Sequence, residues 1–150
     1  HMSHELRTPL NAVIGFAGLL MEDADEAGAT AQVTDLLGRL REALPGMRLR
    51  CHFHNTRNTG IANAWAAVEA GVDVLDASIG GIGGCPFAPA ATGNIPTEDL
   101  LYMLSRMDIR TGVDLGRTIE TARWLGQQFG RTVPGLLGRA GVFPAAKERT

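Results

Sequence analysis

The sequence has few aromatic residues, few cysteines and no excess of basic residues, and these shortages exclude several classes of protein. Lys and Arg number 14 against 16 Asp and Glu, a net charge of −2, so we expect no nucleic-acid partner. Cys51 and Cys85 are too few for a disulfide framework and favour a reducing compartment. No apolar run reaches the roughly 18 residues of a membrane span, and no signal peptide is recognisable. These shortages predict a soluble, cytoplasmic protein without a membrane partner.

The residues that are abundant indicate a globular domain. The chain has 150 residues, of which 45% are hydrophobic and 20% charged, a composition and length typical of one folded domain. Glycine occurs 19 times, about twice its usual share of roughly 7%, which predicts tight turns and loops lined by backbone. His1-Met2 resembles the remnant of a cloning tag, so His1 has no place in the functional interpretation.

The spacing of apolar residues changes along the chain. Helical intervals occur in Ser3–Met21 and again from Val33 to Leu44, and an acidic stretch, Glu22–Thr30, separates them. The elements predicted downstream are a strand at Arg48–His54, a helix at Thr59–Ala70, a strand at Val72–Ile79, a glycine-rich loop at Gly80–Asn94, helices from Pro96 and over Asp114–Phe129, and a short helical tail near Pro134. This order predicts an α/β fold with parallel strands. Two strands alone leave unpaired edges, so we expect a homodimer or higher oligomer, with the first helix covering the sheet.

Candidate chemistry lies where the two predicted strands end. His52 and His54 are two apart in a strand, so their imidazoles project from one face about 7 Å apart along the chain and could share a divalent cation. The alternative is a chance pair on a solvated edge strand. Cys85 follows the glycine-rich run at the carboxyl end of the second strand, where a thiol could act as acid or base or simply be a small buried residue. Gly83 and Gly84 would let a substrate contact backbone N–H groups, or merely form a turn.

These motifs carry a resemblance to a known family. The stretch Cys51–Leu104, with H-x-H, G-x-G-G-C-P and an Asn nine residues after the Cys, resembles the C-terminal part of the DRE-TIM metallolyases, the family of hydroxymethylglutaryl-CoA lyase. The resemblance covers about residues 29–144. It implies a fragment of a (β/α)₈ barrel, a divalent cation such as Mg²⁺ or Mn²⁺, and an acyl-CoA or keto-acid substrate whose carbon–carbon bond is cleaved or formed. It also implies that His52, His54 and Asn94 are metal ligands and that Cys85 is the catalytic acid/base.

The sequence departs from that family in two places. Asn55 stands where many members have Asp after the second histidine, a change that could alter substrate preference. No segment before Ala29 resembles the family's first strand, whose Arg–Asp pair provides a further ligand and stabilises enolate charge. Two imidazoles and one amide carbonyl, without an anionic ligand, should hold a hard cation weakly. The departures therefore predict weak metal binding and an incomplete, inactive lyase fragment.

A second resemblance lies at the other end of the chain. Ser3–Leu20, SHELRTPLNAVIGFAGLL, is similar to the phosphoacceptor H-box of sensor histidine kinases. The resemblance implies that His4 accepts a phosphoryl group and that Glu5 beside it handles the proton. The alternatives are an amphipathic helix with no phosphoryl chemistry, or a helical oligomerisation module. We therefore expect a chimera of an H-box-like helix and linker, residues 1–28, joined to a partial metallolyase barrel, residues 29–150.

Overall fold

A computed structural model describes residues 29–84 and 93–143 of the chain. The predicted first helix, Ser3–Met21, lies outside the described residues, as do His4, Glu5 and Cys85. Within the described residues no helix is both long and apolar enough to cross a membrane.

The described elements alternate between helices and short strands. In chain order they are α1 (Ala29–Ala43), β1 (Arg50–His52), α2 (Gly60–Glu69), β2 (Val74–Asp76), a 3-10 turn (Ile79–Gly81), α3 (Thr97–Arg106), α4 (Leu115–Phe129) and α5 (Leu137–Ala140). The predicted helices are all present from α1 onward. The bounds of α4 are set by local sequence signals. The Asp114 side chain caps the first turn, and Gly130 ends the helix in the left-handed conformation.

The two strands are parallel, as predicted, but shorter than the sequence indicates. Arg50 pairs with Val74, Cys51 with Leu75 and His52 with Asp76. The predicted second strand starts later because Val72 donates its N–H to the Ala67 carbonyl at the end of α2. The predicted first strand stops at His52, and His54 forms only an isolated bridge. The α/β class with parallel strands is confirmed, and its regular sheet consists of three residues per strand.

A segment after the glycine-rich loop joins the carboxyl ends of both strands. Residues 93–95 run antiparallel to residues 53–55, with Ile95 N–H donating to the Phe53 carbonyl at 3.1 Å and Asn55 N–H donating to the Gly93 carbonyl at 2.9 Å. The same segment then runs beside Ser78, whose carbonyl accepts from Thr97 N–H at 2.9 Å. The segment therefore places its side chains where both strands end, which is the side on which α/β folds bind ligands.

The core lies on one face of this small sheet. Cys51 and Phe53 point into it with Ile95, and helices α1, α2 and α3 cover it; the buried apolar residues of the cluster are Val33, Leu37, Leu49, Cys51, Phe53, Ala64, Ala66, Ala67, Ile95, Leu100 and Leu104. The opposite face carries Arg50 and His52, both exposed, and none of the described elements covers it. The strand alternation thus separates a dry face from an open, polar one.

Candidate functional site

The two histidines predicted as ligands bring their ring nitrogens together on the open face. His52 is the last residue of β1 and His54 follows two positions later, where the chain meets Asn94. Their Nε2 atoms are 3.3 Å apart, and the rings meet edge to face with centroids 5.2 Å apart and an interplanar angle of 77°. His52 is exposed and His54 half-buried. The pair therefore presents two nitrogens to one point at the carboxyl end of the sheet.

The environment of His54 favours its uncharged form. Burial lowers the pKa of its imidazole, and the neighbouring His52 lowers that pKa further. A neutral imidazole has one nitrogen with a free lone pair, which is the form that binds metal ions. The Nδ1 atom of His54 is buried and has no hydrogen-bond partner among the described residues. Nε2, the atom that faces His52, is therefore the His54 nitrogen that could bind a cation together with His52.

Asn94 lies directly opposite His54. The backbone bonds that flank this pair make it the non-hydrogen-bonded kind, in which facing side chains approach most closely. The Asn94 amide donates from Nδ2 to the Ile82 carbonyl at 3.0 Å. Its Oδ1 atom is buried and has no hydrogen-bond partner among the described residues. Such an atom is costly unless a water molecule or a ligand binds it, and a cation is one ligand that its oxygen could accept.

These three residues fit a divalent cation. Two nitrogens each about 2.1 Å from one ion would be separated by 3.3 Å at an angle of about 104°. The Asn94 carbonyl adds an oxygen, the ligand type that Mg²⁺ and Mn²⁺ prefer. Among the described residues, no group of three or more His, Cys, Asp or Glu side chains could hold a metal ion, so a site here depends on the Asn94 oxygen as its third donor. None of the three donors is anionic, so they suit a site that gains its anionic ligand from other residues.

The remaining predicted residues divide between described and undescribed parts of the chain. Gly83 and Gly84 are exposed, and Gly83 lies against the Asn94 amide. Cys85 is the residue that follows them and lies outside the described residues. The other cysteine, Cys51, is in the core, where burial raises its pKa to about 11. At neutral pH Cys51 is therefore a protonated, unreactive thiol, which leaves Cys85 as the candidate acid/base.

Asn55 has a local structural role. Its Oδ1 accepts from Gly60 N–H at 3.1 Å, and its Nδ2 donates to Asn58 Oδ1 at 3.3 Å. Position 60 has to be glycine because a Cβ there would lie 2.5 Å from the His54 carbonyl oxygen. The turn thus fixes the start of α2 against the backbone of a candidate ligand. Asn55 and Asn58 also line a cleft of about 200 Å³, which extends past Asn94 to Leu136.

Sequence reasoning missed a buried carboxyl beside this site. Glu98 is 0% exposed, and its Oε2 accepts from Gly80 N–H at 2.9 Å, while Oε1 has no hydrogen-bond partner among the described residues. Burial raises the pKa of Glu98, and the hydrogen bond from Gly80 opposes that rise. As an acidic residue in the first turn of α3, Glu98 also interacts favourably with the helix dipole. Glu98 lies three residues before Leu101, so both belong to the buried stripe of α3. This helical spacing was the sequence signal that could have identified Glu98 as buried.

A second carboxyl, also missed, lies level with the histidines. Asp76 pairs with His52 in the sheet register, so the two side chains share a face. Its Oδ2 is 3.7 Å from Nη1 of Arg50, and both side chains are partly exposed. The signal was the strand register itself, which a single sequence does not give. Asp76 is therefore the carboxylate that the sheet places beside the histidine pair.

Comparison with known proteins points to one group of enzymes. The model of the HMGL-like family matches residues 10–125. (R)-citramalyl-CoA lyase of Chloroflexus aurantiacus is 42% identical over 132 residues, which are 87% of this chain and 42% of that protein. Hydroxymethylglutaryl-CoA lyase of Bacillus subtilis is 41% identical over 120 residues, which are 80% of this chain and 40% of that protein.

Solved structures agree with the sequence comparisons. The structure of an HMG-CoA lyase from Acinetobacter baumannii in complex with coenzyme A and 3-methylmalate matches with a TM-score of 0.73 and 41% identity, over 79% of this chain and 38% of that one. The HMG-CoA lyase of Bacillus subtilis matches with a TM-score of 0.67 and 42% identity, over 75% of this chain and 38% of that one. The chain thus has the fold of part of an HMG-CoA lyase barrel, and it spans about two fifths of the length of these relatives.

The matched range bears on the predicted segments. It begins at residue 10, within the stretch that resembles the H-box, and ends at residue 125. The predicted boundary near Gly28-Ala29 therefore falls inside the matched range, and the division into two segments stays a prediction.

Proposed function

The chain belongs to the HMGL-like family, and from that premise we propose that it is the carboxyl-terminal part of a metal-dependent carbon–carbon lyase acting on a CoA thioester. The observation that carries the proposal is the 3.3 Å separation of His52 and His54 Nε2, with Asn94 paired opposite His54 and its Oδ1 lacking a hydrogen-bond partner among the described residues. The substrate class follows from the relatives, which are lyases of citramalyl-CoA and hydroxymethylglutaryl-CoA.

The proposed chemistry assigns one task to each residue. His52, His54 and Asn94 would hold Mg²⁺ or Mn²⁺, which supplies Lewis-acid stabilisation of the enolate when bound. Each imidazole would bind the cation through the lone pair of Nε2. Cys85 would carry the proton that the departing carbon requires, as a general acid/base. The cleft that runs from Asn55 past Asn94 would offer the substrate a wall that includes the Asn94 side of this site.

We propose that the chain by itself binds the cation weakly and has no lyase activity. The donor set among the described residues is two imidazoles and one amide, all neutral, and a hard divalent cation prefers anionic oxygen. A weakly held ion stabilises little enolate charge, because that stabilisation depends on the ion being present. The proposal therefore separates two properties, cation binding by this chain and turnover by a completed site.

Titration of the full chain with Mn²⁺ tests the first property. Calorimetry or the loss of the free Mn²⁺ signal in electron paramagnetic resonance should show one site, and His52→Ala should weaken it at least about tenfold because one of three donors is lost. His4→Ala is the matched control, since it removes an imidazole that the proposal does not use. Wild-type chain that binds no Mn²⁺, or equal effects of the two substitutions, would contradict the proposal.

Incubation with hydroxymethylglutaryl-CoA and Mn²⁺ tests the second property. No acetoacetate is expected from the chain alone. Turnover by the chain alone that disappears in His52→Ala would establish the lyase function and overturn only the claim of inactivity.

The finer expectations about assembly are also proposals. We propose that the chain forms a homodimer or higher oligomer. A two-stranded sheet leaves its edges unpaired and here also one face uncovered, and a second copy of the chain could cover both. The H-box-like segment with His4 and Glu5 is proposed as a helix that contributes to this cover, and phosphoryl transfer to His4 is the alternative role.

A further inference from the structure

The amide of Asn94 can serve as a ligand in only one of its two orientations. An asparagine amide presents an oxygen at one side and an NH₂ group at the other, and only the oxygen has lone pairs for a cation. The NH₂ side donates to the Ile82 carbonyl at 3.0 Å. A flipped amide would set its oxygen against that carbonyl oxygen, which is repulsive. The Ile82 carbonyl thus selects the orientation that leaves Oδ1 free.

Gly83, the next residue, makes room for this orientation. A Cβ added at position 83 would lie 2.8 Å from Asn94 Nδ2, closer than real Cβ contacts. The φ of Gly83 is +104°, in a region that residues with a side chain rarely adopt. The backbone at Ile82 and Gly83 therefore forms a seat for the amide nitrogen, which any side chain at position 83 would fill.

We propose that Gly83, together with the Ile82 carbonyl, is a positioning element that holds the Asn94 amide with its oxygen free as a ligand. This role differs from contact between a substrate and the backbone N–H of Gly83, which the sequence alone suggests. The part that concerns a cation rests on the proposed function. The orientation of the amide does not, so the two can be tested separately.

The amide orientation can be observed without any metal. In ¹⁵N spectra of the full chain, assigned with Asn94→Ala, one Nδ2 proton of Asn94 should exchange slowly with solvent because it is bonded to the Ile82 carbonyl. Gly83→Ala should abolish that protection. The matched control is Gly112→Ala, since Gly112 has φ +76° and a Cβ there would meet nothing within 4 Å. Both variants carry the same kind of backbone cost, so a shared loss of stability cancels in the comparison.

The result that would overturn the inference is specific. If the Asn94 amide protons of the wild-type chain exchange as fast as those of exposed Asn58, the amide is not held by the Ile82 carbonyl and the inference fails. This measurement uses the wild-type chain alone, so it does not depend on whether any variant folds. Protection that survives in Gly83→Ala would equally remove the role of Gly83.

Mn²⁺ titration of the same variants measures the consequence for the ligand. Gly83→Ala should weaken Mn²⁺ binding about 10- to 100-fold, as expected for a group that orients a ligand, while Gly112→Ala leaves it unchanged. Because Gly83 acts through Asn94, adding Gly83→Ala to Asn94→Ala should cause no further loss. Additive losses would show a general structural effect and overturn the inference. If wild-type chain binds no Mn²⁺ but the amide is protected, the proposed function fails and the seat stands.

Discussion

The two faces of the same short sheet differ in burial, polarity and charge. Cys51 and Phe53 point to one face and are each 9% exposed, packed under α1, α2 and α3. Arg50 and His52 alternate with them along the chain and are exposed on the other face, with Asp76 alongside. A strand places successive side chains on opposite faces, so burial and polarity alternate from one residue to the next.

The comparison separates the residues that hold the fold from those proposed to bind a cation. The dry face has many apolar partners within this chain, and the open face holds charged side chains and the two imidazoles. The first should therefore govern the free energy of unfolding and the second the affinity for a cation, with little overlap. The predictions below test that division.

The largest expected effect is on the dry face. Phe53→Ala should lower the free energy of unfolding by about 3–5 kcal/mol, because it removes a large buried side chain and leaves a cavity under the helices. Urea denaturation followed by circular dichroism measures this change. Val113→Ala is the control, since Val113 is 56% exposed and its truncation should change stability by less than about 0.5 kcal/mol. Similar midpoints for the two variants would refute the assignment of Phe53 to the core.

The dry face is also the part of the fold that the sequence predicted best. Periodicity identified the helices because their buried stripes recur at helical intervals, as Leu100 and Leu104 do in α3. The strand limits were less accurate, because Val72 is held by the end of α2 and not by the sheet. Hydrogen bonds to a neighbouring element decide such limits, and hydropathy carries no information about them.

The open face was predicted only in part. The H-x-H spacing placed His52 and His54 on one face, and the structure brings their nitrogens together. The contact of Asn94 with His54 required the antiparallel pairing of residues 93–95 with 53–55, which arises from a loop closure between distant positions. Asp76 was missed for the same reason, since its neighbour His52 is 24 residues away, whereas the local spacing of Glu98 on the buried stripe of α3 could have identified it.

The buried carboxyl of Glu98 offers a test of intermediate size. The folded chain raises the pKa of Glu98 above its ordinary value of 4.5, so between these two values the folded state holds a proton that the unfolded state has lost. The contribution of Glu98 to stability is therefore full below pH 4.5 and declines as the pH rises through the folded-state pKa. Glu98→Gln, which can still accept from Gly80 N–H, should remove that decline.

Urea denaturation of Glu98→Gln and wild type between pH 4 and 8 measures the effect. The stability of the variant relative to wild type should increase with pH. Glu69→Gln serves as the control, because Glu69 is an exposed carboxyl on α2. A constant difference between Glu98→Gln and wild type across this range would show that Glu98 does not titrate differently in the two states.

The smallest effect is expected from the ion pair on the open face. Arg50 and Asp76 are 3.7 Å apart, with side chains 66% and 40% exposed, so breaking the pair should change stability by no more than about 1 kcal/mol. Their charges should still act on a cation beside His52, because Asp76 lies level with that residue. Asp76→Asn should weaken Mn²⁺ binding about two- to threefold and Arg50→Gln should strengthen it by a similar factor, with both changes shrinking as salt is added. Opposite changes in Mn²⁺ affinity for the two variants would show that the charges act electrostatically on the cation. Loss of a structural contact would change the affinity in the same direction in both variants. A loss in Asp76→Asn as large as that in His52→Ala, and insensitive to salt, would instead make Asp76 a direct ligand and give the donor set a negative charge.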